Sequence, residues 1–467
     1  MDLPPLPLDR DAARPLAVQL ADALRAATAD GTLRAGDRLP STRALASALG
    51  VSRTVTTAAY DQLLAEGWAA GRRGSGTFVV DAPAGPRAPA PQPAAPAPEP
   101  ADGLVDLTAG TPCVAVLDPA AWRRAWRAAA DPEPDVVPDA VGLTAFRAVV
   151  VERLLRHRGL PADPAHVLAT VGSTSAIGEI GRTLPPGARV AVEEPGYQRA
   201  VAALCEAGLD VVGAPVDAAG LVVDALPAGL AAVYCTPAHQ YPLGSRLSAT
   251  RRVALVERAR EEGFLVLEDD YDGELRYDVA PLPLLAALGP DVVAHLGTAS
   301  KLLTPTLGAG WLVAPPAVRD AVRAARARTG TRPARAGQRV FAAFGAHGDL
   351  GRHLRRLRRE LASRRAAVVA AVHAAGLAVE GDAAGAHVLV PLADVATERA
   401  VVAEAAARGV GLDGLARHHA ATPRRAGLVL GYAGPARTDL ERALPVVEQV
   451  LRHFAHPAPT SHEAGLT

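Results

Sequence analysis

Gly297-Thr298-Ala299-Ser300-Lys301 is the stretch on which the reading of this chain turns, because it holds the one lysine of the sequence. Lysine and arginine together number 49 among 467 residues, and all the others are arginine. A drift that strong toward guanidinium leaves a lysine only where an amine is needed. An amine can lose its proton when desolvated and condense with an aldehyde, whereas arginine stays charged throughout the usable pH range. Lys301 therefore reads as a Schiff-base lysine, and its natural aldehyde partner is pyridoxal phosphate. A single leftover surface lysine is the plainer explanation, so the weight falls on the residues around it.

Short apolar runs lead into this segment and into two others. Val292 to Leu296 precedes Gly297, Val190-Ala191-Val192 runs into Glu193-Glu194-Pro195-Gly196-Tyr197, and Phe264 to Leu267 runs into Glu268-Asp269-Asp270-Tyr271-Asp272. Candidate strands at 188–193, 231–235, 264–268, 292–296 and 309–314 alternate with helical stretches, which predicts an α/β domain with a largely parallel sheet. Such sheets place ligands beyond their strand ends. A carboxylate beside a pyridine nitrogen keeps it protonated, and a phenol can hydrogen-bond the ring's oxygen anion; the acidic cluster and Tyr271 offer both. The same cluster could be a solvated loop or a Mg²⁺ or Ca²⁺ site. Gly172-Ser173-Thr174, opening a helix after Val167–Val171, offers N–H groups and hydroxyls to a phosphate, or is an ordinary cap.

Composition sets the frame. Hydrophobic residues make up 49% and charged residues 21%, with a formal net charge of zero, so a nucleic-acid site would have to be local. Cys113, Cys205 and Cys235 are odd in number and widely spaced, which suits a reducing compartment and no disulfide framework. MDLPPLPLDR has no basic-then-apolar signal pattern and no run reaches membrane-spanning length, so a cytoplasmic location and no membrane association are expected. Residues 81–103 alternate Pro and Ala, an extended, semi-stiff linker that separates two pieces. The tail after 455 is expected to be disordered.

In the shorter piece, Leu16, Leu20, Leu24 and Ala27 recur at helical spacing. Ser41 is placed to cap TRALASALG, Gly50 to make a turn, and Ser52 to cap RTVTTAAYDQLLAE. This is a helix-turn-helix pattern. Ser52, Arg53, Thr54 and Thr56 open its second helix, where donors reach phosphates and base edges. Trp68 to Val80 reads as a two-stranded wing with Arg72 to Gly76 at its turn. Residues 31–80 hold six arginines against three acids, a modest local excess of positive charge.

From Arg14 to Val80 the markers PLAVQLADALR, GDRLPSTRALASALGVSRT and AYDQLLAEGW followed by GRRGSGTFV resemble the winged-helix domain of GntR-type bacterial regulators. That resemblance implies DNA contacts at Arg43, Ser52, Arg53, Thr54, Arg73 and Gly74. From Leu104 to about Leu451, TPAHQYPLG (236–244), LEDDYDGELRY (267–277), GTASK and HGDLGRHLRRLRRELASRR (347–365) resemble the fold-type I aminotransferases, more narrowly the MocR/GabR-type regulators. The last segment is also an amphipathic helix with Leu354, Leu357 and Leu361 inward, whose arginines need only be a solvated face.

The resemblance implies a multidomain chain: a winged helix-turn-helix over 1–80, the linker over 81–103, an α/β pyridoxal-phosphate-dependent transferase-like domain over 104–455 and a tail over 456–467. It implies that Lys301 carries the cofactor, that Asp269 pairs with the ring nitrogen and Tyr271 with the ring oxygen, and that Ser173, Thr174, Thr298 and Ser300 line the cofactor site. Tyr197 and Arg199 would face an effector. The implied partners are a double-stranded DNA operator, a small amino compound or pyridoxal phosphate itself, and a second copy arranged head-to-tail. No metal is implied.

Three positions depart from that pattern. Gly308 stands where an arginine usually grips the phosphate, Ala299 where an aromatic is common, and Val429 where aminotransferases bind the α-carboxylate through arginine, with Arg424 or Arg425 as substitutes. Losing a charge-assisted phosphate contact costs about 1.5–3 kcal/mol, roughly tenfold to over a hundredfold in affinity. These losses favour a sensing domain over a working aminotransferase with a DNA-binding arm. A regulator whose large domain is a cofactor-free scaffold is the third reading.

Overall fold

Ser41 and Ser52 each begin a helix in the way their side chains dictate. The Ser41 hydroxyl accepts from the Ala44 amide at 3.2 Å and opens Thr42–Leu49; the Ser52 hydroxyl accepts from Val55 at 3.4 Å and opens Arg53–Ala65. Between them Gly50 sits at φ 60°, a left-handed conformation that glycine adopts without a Cβ penalty. Helix Leu16–Ala29 closes the bundle over Leu20, Leu24, Leu45, Ala59 and Leu63, all buried. Strands Ala69–Arg72 and Gly76–Val79 pair antiparallel as the wing. One expected DNA-facing donor is corrected: Thr56 is fully buried, and its hydroxyl donates to the Thr42 carbonyl at 2.9 Å, tying the two helices together.

The computed structural model describes residues 6, 8–10, 14–29, 32–66, 68–72, 76–80, 103–133, 136, 139–277 and 281–455. They fall into two compact units, one within Met1–Pro89 and one within Ala90–Thr467. The Pro/Ala segment 81–102, the tail 456–467 and the wing-tip residues Arg73 and Gly74 lie outside the described residues. No helix among the described residues is long and apolar enough to cross a membrane.

The larger unit is built on an eight-stranded sheet. Across it run Val167–Thr170, Gly310–Val313, Val293–Thr298, Leu265–Asp270, Ala232–Cys235, Arg189–Glu194, Asp210–Asp217 and Gly220–Leu221. The middle strands pair in parallel. Gly310–Val313 runs antiparallel to both neighbours. The physical reason is the short return through residues 299–309, which brings the chain back at the edge it left, whereas a parallel partner needs a long crossover. Alternation does the rest. Val233, Val266 and Val293 enter one core; Tyr234, Leu267 and Ala294, one residue along each strand, enter the core on the opposite face.

A smaller lobe follows, in which His387–Leu392 pairs antiparallel with Ala426–Gly431 beside helices Asp349–Ala374, Val395–Ala407 and Arg437–Ala455. Leu354, Leu357 and Leu361 are buried as the heptad-like spacing requires. Val105–Asp106 pairs with Val410–Gly411, joining the start of this unit to its last lobe.

Candidate functional site

The carboxyl ends of the parallel strands bring the sequence-predicted groups to one edge of the sheet. Thr298 ends one strand, Asp269 lies one residue short of the end of its neighbour, and Ser173 opens the helix that follows Val167–Thr170. Gly297 is dictated locally, since a Cβ there would fall 2.1 Å from the ring of Trp311, its partner across the strand pair. Lys301 follows in the turn, half-buried, and its Nζ donates to the Gly110 carbonyl. Desolvation holds its ammonium below the ordinary lysine value, with nearby Arg199 acting in the same direction and Asp272 and Asp269 opposing.

The acidic cluster does not converge. Glu268 accepts from the amides of Leu285 and Ala286, Asp270 pairs with Arg158, and Asp272 meets His239 Nδ1 at 2.9 Å. Asp269 accepts from the Tyr234 hydroxyl at 2.9 Å through Oδ2, while its buried Oδ1 has no well-formed hydrogen bond. Burial raises the Asp269 carboxyl to about 7, against the hydroxyls of Tyr234 and Ser173. Four carboxylates with four separate commitments do not make the divalent-metal site that their spacing allowed.

Tyr271 donates its hydroxyl to the His239 carbonyl at 2.9 Å and lies 3.2 Å from His239 Nδ1. Tyr234, His239 and Asp272 were not singled out from the sequence as site residues, although TPAHQYPLG and LEDDYDGELRY contain His239 and Asp272. Only the pairing of adjacent strands reveals that Tyr234 supports Asp269.

On the phosphate side, the Thr298 hydroxyl donates to that of Ser300 at 2.8 Å and accepts from the Ser300 amide at 3.1 Å. Thr298 Oγ1 lies 3.7 Å from where a Cβ on Gly172 would stand, so the hydroxyls adjoin the N-terminus of helix Ser173–Gly181. The Thr174 and Tyr197 hydroxyls are 3.1 Å apart. Arg199, two residues after Tyr197, is exposed. Gly308 sits at φ 53°, where an arginine would have ordinary contact with Val171 but a strained backbone.

Val429 is buried in an apolar cluster with Leu243, Leu389 and Leu415. Arg425 is committed to Glu380 at 2.6 Å, on the far end of that strand, so it does not replace the missing arginine. Arg417 was missed. Its Nε and Nη2 both donate to the Asp413 carboxylate, and the Val429 amide donates to the Asp413 carbonyl at 2.8 Å.

On the winged unit, Arg43, Ser52, Arg53 and Thr54 are exposed. Arg43 and Arg53 lie near the starts of two successive helices, leaving their guanidinium groups free to approach an anionic backbone.

The family described as "Bacterial regulatory proteins, gntR family" matches residues 16–79, and "Aminotransferase class I and II" matches residues 102–416. The chain is 37% identical over 369 residues to the HTH-type pyridoxine biosynthesis transcriptional regulator PdxR of Corynebacterium glutamicum, covering 78% of this chain and 80% of that one. It is 32% identical over 454 residues to the probable rhizopine catabolism regulatory protein MocR of Rhizobium meliloti, covering 92% of each. Among solved structures, the kynurenine aminotransferase of Pyrococcus horikoshii aligns with TM-score 0.69 at 25% identity, over 75% of this chain and 91% of that one. LysN, an α-aminoadipate aminotransferase of Thermus thermophilus, aligns with TM-score 0.69 at 23% identity over 76% and 93%. The larger unit thus has the fold of the type I pyridoxal-phosphate transferases, and the smaller is a GntR winged helix.

Proposed function

The chain belongs to the MocR/GabR-type regulators, DNA-binding proteins with an aminotransferase-like domain, and we propose that this domain holds pyridoxal phosphate on Lys301 and senses an amino compound or the cofactor itself. One observation carries the reading. The sole lysine of the chain stands at the carboxyl edge of the sheet with its proton loosened by burial, at the same edge as Asp269, one of whose buried oxygens lacks a good partner. Bound there, pyridoxal phosphate would supply an aldehyde for amines to join and a ring that withdraws electrons.

The residues present fit that group. Asp269 Oδ1 is free to accept the ring N–H, and a carboxyl that titrates at about 7 when alone is driven to its ionised form by an adjacent cation. Tyr271, held beside His239, would turn its hydroxyl from the His239 carbonyl to the ring oxygen. Ser173, Thr174, Thr298 and Ser300 supply hydroxyls, and the helix start supplies N–H groups, for the phosphate. Tyr197 and Arg199 face the effector. Gly308 withholds a charge, and the apolar wall at Val429 withholds the usual grip on an α-carboxylate; both favour sensing over turnover. The winged helix would use Arg43, Ser52, Arg53 and Thr54, with Arg73 and Gly74 at the wing tip.

The test is visible absorbance on adding pyridoxal phosphate to the purified full chain, and its loss with borohydride. Absence of the band at millimolar cofactor would sink the reading and leave the scaffold alternative. The band's pH dependence adds a sharper result. Only the unprotonated amine condenses, so formation speeds up as pH rises through the Lys301 value. Arg199 holds that value down; Arg199→Gln should therefore move the inflection to higher pH. An unmoved inflection would show that Arg199 does not act on Lys301.

We also propose a homodimer, arranged head-to-tail, working in the cytoplasm where its operator is. A winged helix reads a half-site as one of a pair, and the Pro/Ala segment spans about 70 Å if extended as polyproline II. Light scattering at micromolar concentration should give twice the chain mass; a monomer that still binds its operator with full affinity would overturn this.

A further inference from the structure

Beside Tyr271 lies a histidine–carboxylate pair with two unsatisfied atoms. His239 Nδ1 stands 2.9 Å from Asp272 Oδ2, and both side chains are buried. His239 Nε2 and Asp272 Oδ1 have no well-formed hydrogen bond. An ionised carboxylate only accepts, so Nδ1 carries the ring proton. The same Nδ1 is 3.2 Å from the Tyr271 hydroxyl, which donates to the His239 carbonyl at 2.9 Å. The phenol oxygen can therefore accept a share of the Nδ1 proton while giving its own proton elsewhere.

The imidazole is fixed from several elements. A Cβ on Gly385 would fall 2.2 Å from His239 Cε1 and 2.6 Å from Asp272 Oδ2, so the loop before strand His387–Leu392 closes directly on the pair. The Tyr277 and Tyr432 hydroxyls both donate to the Gly385 carbonyl and hold that loop down. His387 faces His239 with ring centroids 4.9 Å apart; burial, then His239 and His418, hold it well below its ordinary value and so neutral, with Asp413 opposing. Tyr241 lies 6.2 Å from Tyr271, ring to ring. Arg276 donates to the Ala238 carbonyl and pairs with Asp382 at 2.7 Å, so its charge is committed.

Packing of this kind explains a rigid ring. It does not explain an imidazole with a buried carboxylate, because an apolar side chain of similar volume would fill the space without burying a charge. The contact that uses the Nδ1 proton is the one to Tyr271. Asp272 is also the strongest of the charges acting on Lys301, which puts the pair within electrostatic reach of the amine.

We propose that His239, oriented by Asp272, is a positioning residue for the ring oxygen of pyridoxal phosphate, acting through Tyr271. When the Tyr271 hydroxyl turns from the His239 carbonyl to the ring oxygen, the Nδ1 contact remains and polarises the phenol. A hydroxyl that accepts a hydrogen bond donates a stronger one. This role rests on the reading of Lys301 as the covalent site, and the test separates the two.

The measurement is the pH at which the visible band shifts in the full chain loaded with pyridoxal phosphate. The shift reports loss of the proton on the nitrogen joined to the cofactor, a proton that negative charge on the ring oxygen helps to hold. A stronger donor to that oxygen draws off the charge and loosens the proton, so the wild type should titrate at the lowest pH of the series. His239→Leu should move the transition up by about half a pH unit to one unit, roughly threefold to tenfold in proton affinity. His239→Asn keeps an N–H near the place of Nδ1 and should recover most of the difference. Tyr271→Phe should move the transition up at least as far, and adding His239→Leu to it should change nothing more. A merely structural role, or the charge of Asp272 acting directly on Lys301, would move the titration with or without Tyr271. His239→Leu that titrates with the wild type, or that shifts the band equally in the Tyr271→Phe background, overturns the inference. Should His239→Leu fail to fold, the downfield proton resonance of Nδ1, assigned by its loss in His239→Asn, decides. It should move on loading in the wild type and stay put in Tyr271→Phe; a resonance indifferent to loading in both overturns the inference. A wild type that never develops the band sinks the Lys301 reading and this role with it, whereas a band that forms but titrates alike in every variant sinks the role alone.

Discussion

Lys301→Arg is expected to leave the protein without the visible band at any concentration of pyridoxal phosphate, while operator binding persists. The substitution keeps the positive charge and a donor for the Gly110 carbonyl, which Lys301 uses in the folded chain. It removes the one property that matters, an amine able to lose its proton, because a guanidinium stays protonated and does not form the imine. The effect is all-or-none: with no other lysine in the chain, no neighbouring side chain can take over. Response of DNA binding to amino compounds should vanish with the band. A thermal transition close to that of the wild type would show that the loss is chemical. A band that survived in Lys301→Arg would move the covalent site elsewhere and overturn the assignment.

Arg53→Ala should weaken operator binding by about 1–3 kcal/mol, a factor of roughly five to over a hundred. Arg53 is the first residue of helix Arg53–Ala65, is exposed, and has no role in the core of the winged unit. Alanine is well tolerated in a helix, so stability should scarcely change. Salt dependence identifies the contact. A phosphate contact lowers the slope of log affinity against log salt by about one and weakens all sequences alike; a base contact relaxes specificity instead. Thr56→Ala, three residues on, gives a contrast: Thr56 is buried and bonded to the Thr42 carbonyl, so its loss acts through folding. Unaltered affinity in Arg53→Ala would mean that another face of the unit meets DNA.

The legibility of the two units differs for physical reasons. Caps at Ser41 and Ser52, the glycine turn and the wing are local matters of a few residues, and the helices begin where those side chains allow. Thr56 was misread because Ser, Thr and Arg at a helix start look alike in sequence, and only packing against the preceding helix decides which of them face outward. In the larger unit the five candidate strands were found within two residues at either end, since each is built on a short, mostly apolar run. The strand Asp210–Asp217 and the pair His387–Leu392 and Ala426–Gly431 escaped because their apolar residues are broken by glycine, proline or charge.

Sequence by itself determined that one side chain alone, Lys301, could form an imine with an aldehyde. A lone lysine among arginines is a compositional fact, and the amine differs from a guanidinium before any folding occurs. It also determined the acidic cluster proposed to supply a ring partner, and that positions 308 and 429 carry no charge. Tertiary structure alone decided which acids of Glu268-Asp269-Asp270-Tyr271-Asp272 remain available. Glu268 turns to backbone amides, Asp270 to Arg158 and Asp272 to His239; Asp269 has a neutral partner, the Tyr234 hydroxyl, and no paired cation, while Asp269, Asp270 and Asp272 each keep one buried oxygen without a good partner. It alone brought His239 beside Tyr271, 32 positions along the chain from it. The reason is the same in both cases: residue chemistry is local and legible in order, whereas pairing between strands and loops spends some charges on each other and leaves the rest to meet a ligand.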